Sequence, residues 1–344
     1  MHAAEGQPGA GQHLPAERRG GALGRWLKPV ISLALYAVVF TWTDASAVLA
    51  GLRGARLDFV AGAVLLYAGG QVLSAWRWHL LLRPVALRTP FPRLTGFYFT
   101  GMFFNLFLPT IVGGDAVKAI LLARETGAPA RSTVSVFMER NVGLVALLTI
   151  AVVASWLAPP VTLLEVPLPA LTAALATAYI VVNVALLSPA GHRTAERMIR
   201  RTPLAKLAPR ADSIYAALAP YRRPSATLGG AIVLSFAFQL VVIGVVFLTA
   251  LALTLDVPLT AVAVFVPLVS LAGMIPVSVN GLGVREALYV LLFGRLGIPA
   301  EASVSLALLY LGVTIAASLP GGIAYALQKT PARLTPRQAA SDPR

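Results

Sequence analysis

Cysteine is absent from the 344-residue sequence, which excludes disulfides and thiolate metal sites but does not identify a compartment for a membrane protein. Histidine is scarce: His2, His13, His79 and His192 are scattered, with no paired spacing that would hold a metal. Neither a Gly-x-Ser-x-Gly elbow nor a Gly-x-x-x-x-Gly-Lys-Ser/Thr phosphate loop occurs, so hydrolysis by a nucleophile elbow and ATP-driven pumping by this chain alone are not expected. Charge is sparse as well. Only 12% of residues are charged and 57% are hydrophobic, with a mean hydropathy of +0.77. A soluble globular domain could not cover that much apolar surface, and the composition is that of a polytopic membrane protein.

Acidic residues number 14 against 28 lysines and arginines, a net charge of +14. The basic residues stand between apolar stretches and form no nucleic-acid-reading motif, so cytoplasmic loops beside anionic headgroups explain them and nucleic acid is not an expected partner. Residues 1–17 are polar and rich in Gly and Ala, without the apolar core and cleavage site of a signal peptide. The organisation expected is a disordered polar tail over 1–25, a transmembrane domain over 26–328 and a disordered tail over 329–344.

About 20 apolar residues cross a hydrocarbon core of roughly 30 Å. Six stretches have that length: 29–49, 57–81, 132–157, 169–188, 226–255 and 301–327. Two others, 93–125 and 258–295, are interrupted near the middle, at Pro109-Thr-Ile-Val-Gly-Gly-Asp and at Pro276-Val-Ser-Val-Asn-Gly-Leu-Gly. Proline removes a backbone donor and glycine admits positive φ, so both should leave regular helix and turn there. The fold class expected is all-α: about six full spans plus two opposed re-entrant helical hairpins. With the N terminus inside and each hairpin returning to its own side, nearly all basic residues become cytoplasmic and only Arg53, Arg56 and Arg295 fall outside. A straight span over 93–125 would instead put the basic loop 190–224 outside. That loop could lie on the inner leaflet as a basic amphipathic element. Trp26, Trp42, Trp76, Trp78 and Trp156 fall near span ends and read as headgroup-layer anchors.

Setting 114–119 beside 282–287 aligns Lys118 with Arg285, which suggests an inverted repeat with broken helices meeting near the midplane. Charges inside such a chain cost about 2.5–3.5 kcal/mol each and mark binding or transport paths. Three acid–base pairs are expected: Asp115 with Lys118, Glu139 with Arg140, and Arg285 with Glu286. Asp115 and Lys118 lie three apart on one helix face. Gly113, Gly114, Gly281 and Gly283 let the backbone approach a ligand, and the helix N-termini behind them favour an anion. Lys118, Arg140 and Arg285 would suit a phosphodiester, while Asp115, Glu139 and Glu286 would hold them in place. A purely helix-locking role for the pairs is the alternative, and Glu139 and Arg140, being adjacent, lie on different sides of their helix. Asn105 and Asn280 flank the breaks and are expected to satisfy freed backbone groups; Asn280 is also counted among the binding residues.

Asn105-Leu-Phe-Leu-Pro109 leading into Gly113-Gly114-Asp115-Ala-Val-Lys118, then Glu139-Arg140-Asn-Val-Gly-Leu144, then Pro276-Val-Ser-Val-Asn-Gly-Leu-Gly-Val-Arg285-Glu286, resemble the motifs of the lysylphosphatidylglycerol synthase transmembrane-region family, over about 25–328. The resemblance implies an α-helical, flippase-like domain that moves lipids, its best-known members translocating aminoacylated phosphatidylglycerol. Lys118 stands where that family more often carries Arg, which would weaken a bidentate phosphate contact. The chain ends soon after its last apolar stretch without the soluble aminoacyl-transferase domain of the bifunctional synthases, so aminoacyl transfer is not expected. The function expected is that of a lipid flippase of the bacterial inner membrane with both termini cytoplasmic. It would need no cofactor and would handle phosphatidylglycerol-like or polyprenyl-phosphate-linked lipids. The rivals are a lipid-modifying transferase with Asp115 or Glu139 as general base, and an accessory subunit of an envelope-biosynthetic complex.

Overall fold

The computed structural model describes residues 43–108, 113–163, 165–200, 208–223, 225–275 and 281–327, together with 33, 34, 37, 41 and 278. Both terminal tails lie outside these residues. In chain order the helices are α1 (Ala45–Arg53), α2 (Leu57–Leu82), α3 (Phe91–Asn105), α4 (Gly113–Thr126), α5 (Pro129–Leu157), α6 (Leu168–Leu187), α7 (Pro189–Arg200), α8 (Ala208–Leu218), α9 (Ala226–Ala252), α10 (Leu259–Met274), α11 (Val284–Gly294) and α12 (Ala300–Leu327). A short antiparallel pair, Thr162–Leu163 with Val166–Pro167, joins α5 to α6.

Among the described residues five helices are long and apolar enough to cross a membrane: α2, α5, α6, α9 and α12. They coincide with five of the six stretches expected from hydropathy. Most of the sixth, 29–49, lies outside the described residues, and its end is corrected. Asp44 caps a new helix by accepting the Ser46 N–H at 2.8 Å, so 45–49 belong to α1 and not to an unbroken span. The polar stretch 190–224 is also helical where described, as α7 and α8 followed by a 3-10 turn over Ala219–Arg222.

Both interrupted stretches double back. Arg93, near the start of α3, pairs with Glu125, near the end of α4, at 2.7 Å. At the other end Asn105 accepts the Gly114 N–H at 3.1 Å. Between them α3 and α4 cross without a spacer side chain: a Cβ on Gly101 would lie 2.7 Å from the Gly114 carbonyl oxygen, and one on Gly114 would lie 2.3 Å from that of Gly101. In the second stretch Phe265 of α10 meets Phe293 of α11 edge to face at 5.1 Å.

Helix α5 runs through the middle, packed against α4, α6, α9 and α10, while α6 is largely exposed. One apolar core joins α9, α10, α11 and α12 to the far end of α5; another joins α2, α3 and α4 to its beginning. Polar contacts tie each end of the molecule. Arg131 donates to the Val85 carbonyl at 3.3 Å and Arg93 holds Glu125 at one end. At that same end the Tyr221 hydroxyl, its pKa pushed up by burial, donates to the Leu81 carbonyl. At the other end the Arg56 N–H donates to the Ala252 carbonyl at 2.9 Å, tying the start of α2 to the end of α9.

Candidate functional site

Three helices, α2, α4 and α5, bring their charges to one place, against a polar face of α3. On α3, Leu94, Tyr98, Gly101 and Asn105 recur at the spacing of a single face and turn toward α4. Gly101 leaves room for the aliphatic part of Lys118, whose Cγ lies 2.7 Å from where a Cβ would stand. Lys118 therefore lies flat against Tyr98, its ammonium 4.2 Å from the ring centre. From there Nζ reaches Asp115 at 2.9 Å, one turn back on α4, and Glu139 of α5 at 2.8 Å.

Glu139 also accepts from Arg77 of α2, and from the Tyr98 hydroxyl at 3.1 Å. Arg77 donates in addition to Ser235 of α9 at 3.3 Å. Asp115, for its part, pairs with Arg140. The result is one chain of alternating charge, Arg77, Glu139, Lys118, Asp115, Arg140, and not the separate pairs read from sequence. The expected Glu139–Arg140 pair is corrected: adjacent residues project about 100° apart on a helix, so each finds its own partner across α4 or α2. Arg77, Glu139 and Lys118 are 3%, 3% and 5% exposed. Glu139 lies about 15 Å along α5 from its start, half the thickness of a hydrocarbon core.

Arg77 was not among the expected site residues. It stands inside an apolar stretch, which was the available signal, but between Trp76 and Trp78 it reads as part of an interfacial belt. Trp76 and Trp156 are exposed as anchors would be, whereas Trp78 is fully buried and donates from Nε1 to Ser135 at 3.1 Å. Its role as a headgroup anchor is thereby corrected. Trp26 and Trp42 lie outside the described residues.

The second hairpin contributes Arg285, bonded to Glu286 at 3.0 Å through Nη2. Glu286 is fully buried, and its other carboxylate oxygen accepts the Gly283 N–H at 2.7 Å, capping α11. Gly283 has φ +82°, a left-handed conformation that a side chain would strain. The alignment of Lys118 with Arg285 does not survive in helix position. Asp115 and Glu286 each occupy the third residue of their helix, α4 and α11, so the acids correspond and the bases do not.

A cavity of about 360 Å³ joins the two regions. Of the expected residues, Gly114, Asp115, Lys118, Glu139, Arg140, Gly281 and Arg285 line it; Gly113, Gly283 and Glu286 stand behind its wall, and Asn280 lies outside the described residues. Arg77, Tyr98, Gln71 and Gln239 line it too, all unanticipated. Among the described residues no group of histidines and acids could hold a metal ion. Chemically the cavity offers guanidinium and ammonium groups, aromatic hydroxyls and amides inside an apolar shell, a setting suited to a polar, negatively charged group removed from water.

A UPF0104 membrane protein of Methanothermobacter thermautotrophicus is 33% identical over 106 residues. The aligned part is 29% of this chain and 29% of that relative, so the chain spans less than a third of the relative's length. Residues 26–321 match the family described as lysylphosphatidylglycerol synthase TM region, which takes in all three charge-bearing motifs. Together with the five described helices of spanning length, that match makes this a multi-pass membrane protein. The chain belongs to the lysylphosphatidylglycerol synthase TM region family.

Proposed function

We propose that the protein moves a lipid with an anionic headgroup between leaflets, holding the headgroup in the central cavity while the acyl chains remain in the surrounding lipid. The observation that carries this reading is the cation-ended charge chain lining the cavity. Five charges gathered inside a bundle of membrane-spanning length are costly, and an anion-binding task accounts for them. Phosphatidylglycerol-like and polyprenyl-phosphate-linked lipids fit the chemistry, and the movement needs neither covalent catalysis nor a cofactor.

In this reading the α3–α4 and α10–α11 hairpins are re-entrant and enter from opposite faces as an inverted pseudo-repeat. They accompany the full spans α2, α5, α6, α9 and α12. The antiparallel contacts within each hairpin and the matching acids at the starts of α4 and α11 support that arrangement. The end bearing Arg93, Arg131 and Arg223 faces the cytoplasm, as do both termini, and the membrane is the bacterial inner membrane.

Reconstitution tests the proposal. The purified full chain in liposomes should speed leaflet exchange of fluorescent phosphatidylglycerol above that of protein-free vesicles, and Lys118→Met should abolish the gain. Exchange at the protein-free rate across a panel of anionic lipids would end the flippase reading.

A further inference from the structure

We infer that the cavity selects a headgroup with one net negative charge, a single phosphodiester whose other groups are uncharged and hydroxyl-bearing, and excludes the same headgroup once it carries an added ammonium. The inference rests on the anionic-lipid reading above and narrows its cargo, against the aminoacylated lipid that the family's description brings to mind.

Charge balance is the first ground. In the chain Arg77, Glu139, Lys118, Asp115, Arg140, three cations are threaded by two carboxylates and a cation stands at each end, leaving one net positive charge. The Arg285–Glu286 pair adds none. The segments at the hairpin tips, 109–112 and 276–280, contain no acidic or basic residue that could alter the balance. A buried net charge is unfavourable until a counter-ion arrives, and a monoanion matches it.

Occupancy of the carboxylate oxygens is the second. Oε1 of Glu139 takes Arg77 and the Tyr98 hydroxyl, and its Oε2 takes Lys118. Oδ1 of Asp115 takes Lys118 and its Oδ2 takes Arg140. Behind the wall Glu286 gives Oε1 to Arg285 and Oε2 to the Gly283 N–H. Asp115 and Glu139 are the only carboxylates among the described lining residues, and each of their oxygens is already paired with a cation of the protein, so an incoming ammonium would have to share or displace one. It also meets the least enclosed guanidiniums, Arg140 and Arg285, whose side chains are 31% and 16% exposed. The neutral remainder of the lining includes Gln71, Gln239, Tyr67, Tyr310 and Thr314, which suit glycerol or sugar hydroxyls.

Binding separates this inference from transport. Native mass spectrometry of the purified full chain would compare dioctanoyl phosphatidylglycerol, its lysyl ester and soluble glycerophosphoglycerol. Phosphatidylglycerol should bind at least about tenfold more tightly than the lysyl ester, and Arg140→Gln, checked for an unchanged melting profile, should narrow that gap while Arg140→Lys keeps it. Equal or tighter binding of the lysyl ester, or no binding of either lipid, overturns the inference. Competition by glycerophosphoglycerol as effective as by the lipid overturns the lipid assignment in favour of a soluble phosphodiester. Leaflet exchange run beside it keeps the failures apart: preference without exchange sinks the flippase alone, and exchange without preference sinks the charge selection alone.

Discussion

Lys118 touches both carboxylates of the network, and its removal has a different consequence from the removal of either acid. Lys118→Met leaves Arg77 with Glu139 and Arg140 with Asp115, two neutral pairs, so the protein should fold with a melting temperature near that of the unaltered chain while lipid exchange is lost. Glu139→Gln takes from Arg77 its only carboxylate partner among the described residues and should destabilise the protein by roughly 3–5 kcal/mol, the cost of an uncompensated buried charge. Denaturation in detergent alongside exchange in vesicles measures both. If Lys118→Met unfolds as readily as Glu139→Gln, the network is a helix lock and not a binding surface. Four of the five charges of this network, Asp115, Lys118, Glu139 and Arg140, were legible in the sequence because charges are rare there, and Arg77 was not. Their partners were not, since Arg77 and Glu139 are 62 positions apart and meet only when α2 packs beside α5.

Glycine decides the close crossings between elements. Gly114→Ala would place a methyl 2.3 Å from the Gly101 carbonyl oxygen, and Gly321→Ala one 1.9 Å from that of Phe99, where α12 backs onto α3. Backbone cannot yield as a side-chain tip does, so each substitution should cost about 1–3 kcal/mol or more. Gly312→Ala, on the same α12 with nothing within 4 Å, should be neutral or slightly stabilising. Melting temperatures of the three variants check the order, and equal shifts would contradict the packing. For the Gly101–Gly114 crossing, activity should fall with stability, since parting α3 from α4 moves Lys118 off Tyr98. The break at 109–114 announced a turn in the sequence through Pro109, Gly113 and Gly114. That the two half-helices then touch along Gly101 could not be read, because nothing in an isolated glycine says which backbone will approach it.

At the scale of the whole molecule, the cysteine-free sequence suits single-cysteine labelling. Ser213→Cys on α8 should react with an impermeant thiol reagent only from the cytoplasmic face, and Pro160→Cys, beyond the end of α5, only from the opposite face; labelling of both from one side would reject the proposed orientation. Ser270→Cys, on the cavity lining and exposed, should react with small water-borne reagents, and a lipid site there predicts protection by phosphatidylglycerol.

Composition and hydropathy by themselves determined that this chain is helical and crosses a membrane several times, where its five described long spans begin and end to within a few residues, and that two stretches break. Those properties follow from the need to cover apolar length and to satisfy backbone locally, and both are written along the chain. The tertiary structure alone decided that Asp115, Glu139 and three cations form one network, and that Trp78 and Arg77 face inward. Each depends on which helix faces become neighbours, and the energy that selects those neighbours belongs to contacts distant in sequence, which no local spacing encodes.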